Sequence, residues 1–409
     1  MTVLVAGAGI GGLVAALSLH QTGVGVRVFE QARRIEPLGV GINVLPHAVR
    51  ELFELGLAEP LLKESVQTAA LTFLNRHGQM IWSEPRGRAA GYHWPQLSIH
   101  RGRLQAILLA AARERLGADG MVTGHALEDW NDNGDGVTAR FTNGAVAKGS
   151  LLIGADGIHS AMRRRFAPGE GPPRWNGAIL WRGLSAMPAF APGPAMFMCG
   201  HEWQKFVCYP ILLEEGRALV NWIAELKFDA GHEWRREDWN RAGQLDSFLP
   251  KFMSWDFSQF NVPEIIRAAP QCFEFPMVDR DPLAQWTHGR ATLLGDAAHP
   301  MYPIGSNGAS QAVLDGRHLA RAINDLGETH DALLAYEAER RPPTAKIVAA
   351  NRANMAETFM QLVEDRAPQG FANIEDVMST DEIAGMMAGY KHLAGFDKDT
   401  LNARAPIVR

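Results

Sequence analysis

The sequence has few cysteines, no excess of basic charge and no long apolar run. Its 409 residues contain three cysteines, Cys199, Cys208 and Cys272, and none belongs to a Cys-x-x-Cys pair. Widely spaced cysteines are typical of reduced thiols, so we expect a cytoplasmic protein without a disulfide framework. No uncharged apolar stretch reaches roughly 18 residues, so we expect no membrane-spanning segment. The N-terminus shows no basic segment or cleavage site, so we do not expect a signal peptide.

Acidic residues outnumber basic ones, 45 Asp and Glu against 40 Lys and Arg, which gives a net charge of −5. This balance argues against nucleic acid as a partner, because binding of phosphates requires a basic surface. A small organic substrate fits the composition better. The length is more than one hydrophobic core usually organises, and it predicts roughly two domains and an appendage.

The first thirty residues carry the pattern of a βαβ unit. Residues 2–6 form a short apolar run that predicts a buried parallel strand, 13–21 predict a helix, and 25–29 predict a second strand. Between the first two elements lies the loop Gly7-Ala8-Gly9-Ile10-Gly11-Gly12. In such a loop glycine permits a tight turn, close approach of the backbone to a pyrophosphate, and packing of helix on strand. The pattern therefore predicts a dinucleotide site.

Glu30 stands at the end of the second predicted strand, 18 residues after Gly12. A carboxylate at this place accepts hydrogen bonds from a ribose diol and disfavours a 2′-phosphate. The resident nucleotide is therefore expected to be FAD or NAD rather than NADP. A tight turn with a solvated glutamate is the alternative interpretation.

Two further motifs favour FAD. The first is Gly154-Ala155-Asp156-Gly157, and the second is Leu293-Leu294-Gly295-Asp296, which is followed by the glycine-rich loop 303–310. At the second motif a strand delivers the carboxylate of Asp296 to a turn, where it can hold a polyol hydroxyl. Backbone N–H groups at the start of the next predicted helix, 310–319, can stabilise negative charge on a ring. NAD has no ribitol chain and requires neither feature.

With these three motifs in this order, the sequence resembles the single-component, FAD-dependent aromatic hydroxylases over about residues 2–350. Within that family it is most similar to phenazine monooxygenases, and salicylate hydroxylase-like enzymes are more distant. The segments that carry this closer resemblance are 37–43, 82–87, 98–102, 181–183 and 276–283.

The resemblance implies how FAD is held. Arg101 and, one turn later, Gln105 would lie at the pyrophosphate, Asp156 would support bound nucleotide, and Asp296 would take the ribitol. The segment 39–42, with Val40 and Gly41, would run beside the isoalloxazine ring. The four glycines of the first loop and Glu30 also belong to the implied FAD site. The remaining implied residues surround the pyrimidine edge of the ring: Gly305, Asn307, Gly308 and Ala309.

The resemblance also implies the fold class and its division. We expect an α/β protein with a Rossmann-like FAD-binding domain formed by 1–171 and 277–330. A mostly antiparallel sheet at 172–276, rich in tryptophans and β-formers, would be an inserted substrate domain. The region 331–409 is expected to be helical and broken near Pro342-Pro343 and Pro368.

No second complete Gly-x-Gly-x-x-Gly unit occurs, so NADH or NADPH is expected to visit a tightly bound FAD without a domain of its own. The resemblance implies that the reduced flavin and O2 form a C4a-hydroperoxide, which hydroxylates an aromatic or N-heteroaromatic, phenazine-like substrate. The expected oligomeric state is a monomer or a homodimer.

The substrate pocket is expected between the inserted sheet and the flavin. Arg182 is a candidate partner for a substrate carboxylate, and Tyr209 is a candidate to polarise a phenol. Plain core packing is the alternative for each candidate wall residue, and His299 is better explained as structural than as a base. No residues have metal-ligand spacing. The other candidate wall residues are Trp181, Phe206, Trp222, Phe275, Met277, Tyr302 and Pro303.

Two other functions remain open from the sequence alone. A flavin-dependent reductase or halogenase could use the same scaffold, although the sequence lacks a W-x-W-x-I-P segment. A non-catalytic FAD-binding protein is the other alternative, and a colourless purified protein would support it.

Overall fold

A computed structural model of the chain describes residues 2–37, 39–188, 190, 192–229, 231–232, 241–355 and 357–408. Leu38, within the segment 37–43, lies outside the described residues. The strands are β1 (Val3–Ala6), β2 (Val26–Glu30), β3 (Gly41–Val44), β4 (Ser65–Thr68), β5 (Ala70–Leu74), β6 (Met80–Pro85), β7 (Gln96–His100), β8 (Met121–Thr123), β9 (Leu127–Asp132), β10 (Val137–Phe141), β11 (Val146–Gly149), β12 (Leu152–Gly154), β13 (Arg174–Met187), β14 (Ala195–His201), β15 (Gln204–Glu214), β16 (Arg217–Lys227), β17 (Cys272–Asp279), β18 (Thr287–His288) and β19 (Ala291–Leu293). The helices are α1 (Ile10–Gln21), α2 (Pro46–Glu54), α3 (Ala58–Lys63), α4 (Arg101–Leu116), α5 (Ala161–Phe166), α6 (Leu245–Phe252), α7 (Val262–Arg267), α8 (Gly308–Leu326), α9 (His330–Arg352), α10 (Thr358–Arg366), α11 (Thr380–Leu393) and α12 (Lys398–Ala403).

A six-stranded sheet in the order β18-β19-β12-β1-β2-β8 forms the first layer. β1 pairs in parallel with both β2 and β12, and β19 and β8 extend the parallel part. Strand β1 is buried along its whole length, as its continuous apolar run predicts for a sheet covered on both faces. The Rossmann-like α/β fold that we expected is confirmed. It brings the carboxyl ends of β1, β12 and β19, and the loops that follow them, to the same edge.

A second sheet has seven strands in the order β17-β13-β16-β15-β14-β5-β6. Its pairs are antiparallel except for β14 and β5, which run parallel. The mostly antiparallel sheet expected at 172–276 is present, but it is not confined to that range. Strands β5 and β6 come from residues 70–85, which we had placed with the FAD-binding domain. The boundaries at 171 and 276 stay predictions.

Two smaller sheets complete the topology, β11-β10-β9 and β3-β7-β4. In the second, β7 is the central strand and pairs antiparallel with β3 and β4. β15 of the seven-stranded sheet packs against both β4 and β7. The β3-β7-β4 sheet therefore connects the two large sheets and leads directly into α4.

Helix α9 runs without a break through Pro342 and Pro343, so the break expected there is wrong. The two prolines remove N–H groups that would bond to the carbonyls of Ala338 and Glu339. Both of those residues are exposed, so water can satisfy their carbonyls. The opposite side of α9 is buried and holds the helix in place. The second predicted break is correct, since α10 ends at Arg366, shortly before Pro368.

The described helices include none that is both long and apolar enough to cross a membrane. Among the described residues we also find no group of three or more His, Cys, Asp or Glu side chains arranged to hold a metal ion. The three cysteines are buried and free. Burial raises the pKa of each thiol, most strongly for Cys199 and Cys208.

Candidate active site

The glycine loop between β1 and α1 is held by close backbone contacts. Gly7 has φ +109°, and a Cβ atom there would lie 2.3 Å from the carbonyl oxygen of Ala155. A Cβ at Gly12 would lie 2.0 Å from the carbonyl oxygen of Gly7, and one at Gly11 would lie 2.7 Å from Cδ2 of Leu294. A Cβ at Gly9 would meet no protein atom within 4 Å. Gly9 therefore faces an open groove at the N-terminus of α1, which suits a pyrophosphate.

Glu30 and Gln105 fix the shape of this loop. The Glu30 carboxylate accepts hydrogen bonds from the N–H groups of Ala8 and Ala32, each at 2.8 Å. Gln105 Nε2 donates to the carbonyl oxygen of Ala8 at 2.8 Å. Neither side chain lines the cavity described below. Gln105 thus reaches the loop, while Arg101 at the start of α4 is exposed and lines the groove.

The turn after β19 rests on a buried ionic network. Asp315 on α8 accepts hydrogen bonds from the N–H of Gly295 at 3.0 Å, from His299 Nε2 at 2.5 Å and from Arg340 Nε at 2.7 Å. Burial alone would raise the pKa of Asp315, but His299 and Arg340 outweigh it and hold this pKa far below its usual value. His299 is therefore a structural residue, and Asp296 is left pointing into the groove with its side chain exposed there.

Arg163 joins the two aspartate motifs. This buried guanidinium donates through Nη1 to the carbonyl oxygens of Ala297 and Ala298, at 3.1 and 2.7 Å. It lies on α5, directly after the first motif, where Asp156 Oδ2 accepts a hydrogen bond from the N–H of Ala161 at 2.7 Å. Asp156 Oδ1 is buried and has no partner among the described residues. Burial raises the pKa of this carboxyl, and Asp156 does not itself line the cavity, although its neighbours Ala155 and Gly157 do.

The loop before α8 is shaped by Tyr390, a residue of helix α11. Gly305 has φ +67°, and a Cβ there would lie 2.0 Å from the Tyr390 hydroxyl oxygen. That hydroxyl accepts a hydrogen bond from Asn307 Nδ2 at 2.8 Å and donates to Asn351 Oδ1 at 2.9 Å. Pro303, Gly305, Asn307, Gly308 and Ala309 all line the groove. The N-terminus of α8 opens into the same space, where its free N–H groups favour negative charge.

One face of the seven-stranded sheet forms the other side of the cavity. Arg182 Nη2 donates to the carbonyl oxygen of Gly41 at 2.8 Å, and Asn221 Oδ1 accepts from the Gly41 N–H at 2.7 Å. These bonds fix β3, which leads away from Val40, against the sheet. Tyr209 is buried beside Arg182, and burial raises the pKa of its phenol to about 12, although Arg182 opposes the shift. The hydroxyl therefore stays protonated at neutral pH.

Most of the aromatic wall residues that we expected lie elsewhere. Trp181, Phe206 and Trp222 belong to the core on the opposite face of the sheet, where α6 and α7 cover them. The reason is the two-residue period of a strand, which sends Trp181 and Arg182 to opposite faces. Phe275, Met277 and Tyr302 pack together near β17 at the sheet edge and do not line the cavity. Of the proposed wall, only Arg182, Tyr209 and Pro303 line it.

The cavity has a volume of about 380 Å³, and its wall contains residues that sequence reasoning missed. The middle of the sheet face is apolar and rich in methionine: Leu71, Phe73, Met196, Met198, Val207 and Ile223. Helix α11 and the turn after it cover this face with Met387, Tyr390, Lys391 and Phe396. Strand alternation points to the sheet residues once the buried face is known. No sequence motif marks α11.

These features fit FAD. The groove offers a helix N-terminus beside an open glycine backbone, an aspartate carboxylate at the second motif, and a second helix N-terminus at Gly308. The Met-rich pocket opens from the same cavity, next to the place where a ring bound between β3 and the loop 303–309 would lie.

Comparison with known proteins agrees with this geometry. Residues 1–175 and 263–351 match the profile of the FAD binding domain family. The phenazine 1,6-dicarboxylic acid hydroxylase of Lysobacter antibioticus is 42% identical over 402 residues, covering 96% of each chain. The aurachin C monooxygenase/isomerase of Stigmatella aurantiaca is 33% identical over 346 residues, 83% of this chain and 85% of the relative. A variant of Klebsiella pneumoniae HpxO complexed with FAD superposes with a TM-score of 0.78 at 25% identity, covering 96% of this chain and 99% of the other.

Proposed function

This chain belongs to the FAD binding domain family and is an FAD-dependent monooxygenase that hydroxylates an aromatic ring, and on that premise we propose that its substrate is a planar, phenazine-like N-heteroaromatic. Its cofactor is FAD, and NAD(P)H is the reductant. The identity of the substrate ring rests on the pocket and on the name of the Lysobacter antibioticus relative.

The observation that carries the proposal is the apolar floor of the pocket. Alternate residues of β5, β14, β15 and β16 present thioethers, one phenyl ring and aliphatic groups on one face of the sheet. Such a surface packs against the face of an extended aromatic ring system, and methionine adapts its shape to the ligand. Helix α11 covers the floor, so a bound ring would be enclosed on both faces.

We propose that the residues of the groove hold FAD in the order that the motifs imply. Gly7, Gly9, Gly11 and Gly12 would make room for the pyrophosphate with Arg101 beside it, and Asp296 would take the ribitol. Glu30 and Gln105 would act through the shape of the loop, in addition to any bond to ribose. The ring would lie between Val40 and Gly41 on one side and Gly305, Asn307, Gly308 and Ala309 on the other. When bound, FAD supplies the redox and oxygen chemistry.

We propose that Arg182 and Tyr209 position the reacting end of the substrate. Arg182 holds Gly41, and with it the strand beside the ring. Tyr209 keeps its proton, so its hydroxyl can donate a hydrogen bond to a polar atom of the substrate. The apolar floor and the cover formed by α11 exclude water from the space between them, which protects reactive oxygen chemistry from decay.

The test is a screen of NADH and NADPH oxidation by the purified flavoprotein over phenazines, quinolones, salicylates and hydroxypyridines, with products weighed for one added oxygen. We expect a phenazine to accelerate flavin reduction most and to gain one oxygen. If no compound accelerates reduction, the proposed substrate class is wrong. NAD(P)H oxidation without oxygen incorporation would instead indicate that the pocket does not align the bound compound.

A Tyr209→Phe variant tests the proposed positioning role. We expect it to bind FAD normally, because Tyr209 lies outside the groove, and to lose roughly tenfold in kcat/KM, the effect of one hydrogen bond. Because the Tyr209 phenol titrates only near pH 12, the loss should be independent of pH between 6 and 10. A loss that varies with pH in this range would contradict the role of Tyr209 as a constant donor.

A further inference from the structure

A positively charged cluster lies on the cavity wall. Arg86 follows β6, its side chain is 12% exposed, and its Nη2 lies 2.8 Å from Glu84 Oε1. Lys391 reaches the same carboxylate from α11, with Nζ 2.7 Å from Glu84 Oε2. Both cations line the cavity. The cluster therefore has two positive charges and one negative charge.

Arg86 also retains an unused donor. Its Nε is buried and has no hydrogen-bond partner among the described residues. A buried guanidinium N–H without a partner is costly, and an anion in the cavity would satisfy it. Arg182, which the sequence suggested for an anion, already donates to the Gly41 carbonyl and shares a hydrogen bond with the Tyr209 hydroxyl. Arg182 Nε is likewise buried without a partner among the described residues. The Arg86 cluster differs in that it adds a second cation, Lys391, at the cavity wall.

A second cluster on the cavity wall has the opposite excess charge. Lys205 on β15 lies 3.2 Å from Glu225 and 2.5 Å from Glu357, and Lys205 and Glu357 line the cavity. This cluster has two negative charges and one positive charge. Lys205 pairs with Gly200 near the end of β14, while Arg86 follows the end of β6, whose partner strand β5 pairs with the start of β14. The backbones of Lys205 and Arg86 are therefore offset by roughly 16 Å along the strand direction, from five residues of strand rise.

We propose that Arg86 and Lys391 bind a carboxylate of the planar substrate and select for acids over neutral rings. The proposal rests on the proposed function. The carboxylate takes the free Nε–H of Arg86 and the excess charge of the pair, and the rings lie over the Met-rich floor. The far edge of the rings faces the Lys205 cluster, which disfavours a second negative charge and so fixes which end enters. A guanidinium forms short, charge-assisted bonds to carboxylates, and this gives the selection its strength.

The test compares two ligands of nearly equal shape, phenazine-1-carboxylate and phenazine-1-carboxamide, in the FAD-loaded enzyme. Dissociation constants come from the change in the flavin absorption spectrum on titration, and KM and kcat come from NAD(P)H oxidation. Wild type should prefer the carboxylate. Arg86→Gln should weaken carboxylate binding roughly 10- to 100-fold and leave carboxamide binding within about twofold. The effect should lie in KM rather than kcat.

Arg88→Gln is the matched control, because Arg88 is exposed, lies two residues away and does not line the cavity. We expect both dissociation constants to be unchanged in it. Lys391→Met should give a smaller selective loss, about 3- to 10-fold, and it keeps the test available if Arg86→Gln does not retain FAD, since Lys391 is partly exposed on α11.

The two possible failures are distinguishable. If neither phenazine binds or stimulates wild type, the proposed function fails. If wild type binds both phenazines equally, or if Arg86→Gln and Lys391→Met weaken the carboxylate and the carboxamide alike, the function stands and the assignment of the carboxylate site is overturned.

Discussion

The two halves of the cavity are formed by different kinds of chemical group. The FAD groove is formed mainly by backbone: glycines at close approach, helix N-termini and turns held by buried ion pairs. The substrate pocket is formed by side chains on one face of a sheet and by a helix from far along the chain. A backbone site tolerates almost no added atom, whereas a side-chain site can change its ligand through single substitutions. The difference explains why one fold can keep one cofactor and accept different substrates.

The largest expected effect comes from a methyl group in the glycine loop. In Gly12→Ala the new Cβ would lie 2.0 Å from the Gly7 carbonyl oxygen, a backbone atom that cannot move aside. We expect a low yield of soluble protein, and we expect that protein to be colourless because it holds no flavin. In Gly9→Ala the Cβ meets no protein atom within 4 Å, so the chain should fold but bind FAD at least tenfold more weakly. The ratio of flavin absorbance to protein absorbance measures the FAD content of both variants. Equal FAD content in Gly9→Ala and wild type would break the description of Gly9 as part of a backbone cradle.

A smaller but still large effect is expected from the ion pairs beneath the groove. Asp315→Ala leaves Arg340 buried without its carboxylate and should lower the free energy of unfolding by about 3–5 kcal/mol. Glu339→Gln, which removes an exposed carboxylate from Arg321 and His318, is the control and should cost less than about 1 kcal/mol. Urea denaturation of the three proteins gives the comparison.

The stability difference between wild type and Asp315→Ala should also depend on pH. The pKa of Asp315 is lower in the folded protein than in the unfolded chain, where it is about 3.9. The stabilisation by ionised Asp315 is therefore fully present above that pH and is lost as the pH falls towards the folded pKa. The stability gap between wild type and Asp315→Ala should be constant above about pH 5 and shrink below pH 4. A gap that widens in acid would contradict this network.

The smallest effect is expected where the pocket touches the groove. Tyr390→Phe removes the hydroxyl that bonds Asn307 and Asn351, and should cost about 1 kcal/mol of stability. It should also shift the flavin spectrum, because the loop around Gly305 is released. Tyr92→Phe removes a hydroxyl of similar burial, which bonds the Phe396 carbonyl rather than a residue of that loop. This variant should lower the melting temperature to a similar extent and leave the flavin spectrum unchanged. An equal spectral shift in both variants would contradict the specific role of the Tyr390 hydroxyl in holding the groove loop.

The sequence predicts the groove better than the pocket, because the groove is formed by backbone and the pocket by side chains. Gly7, Gly12 and Gly295 are required by local backbone geometry, so their spacing is visible in the sequence. The pocket depends on which face of each strand is turned towards the cavity. Where large residues stand on both faces of a strand, the sequence does not indicate which face that is. Trp181 and Arg182 are neighbours, and we placed both in the pocket although only one can point there. Lys391 and Tyr390 lie more than 80 residues after the last motif, in a helix whose place over the pocket is set by tertiary packing.

Helix α11 also has a consequence for the order of events during protein synthesis. The residues proposed to contact FAD lie before the end of α8 at Leu326, so a growing chain has synthesised them well before residues 380–396 leave the ribosome. Flavin bound at that moment would face water on its substrate side. Docking of α11 is therefore the step that both holds the loop around Gly305, through Tyr390, and covers the substrate pocket, and a chain cut after α10 would lack both.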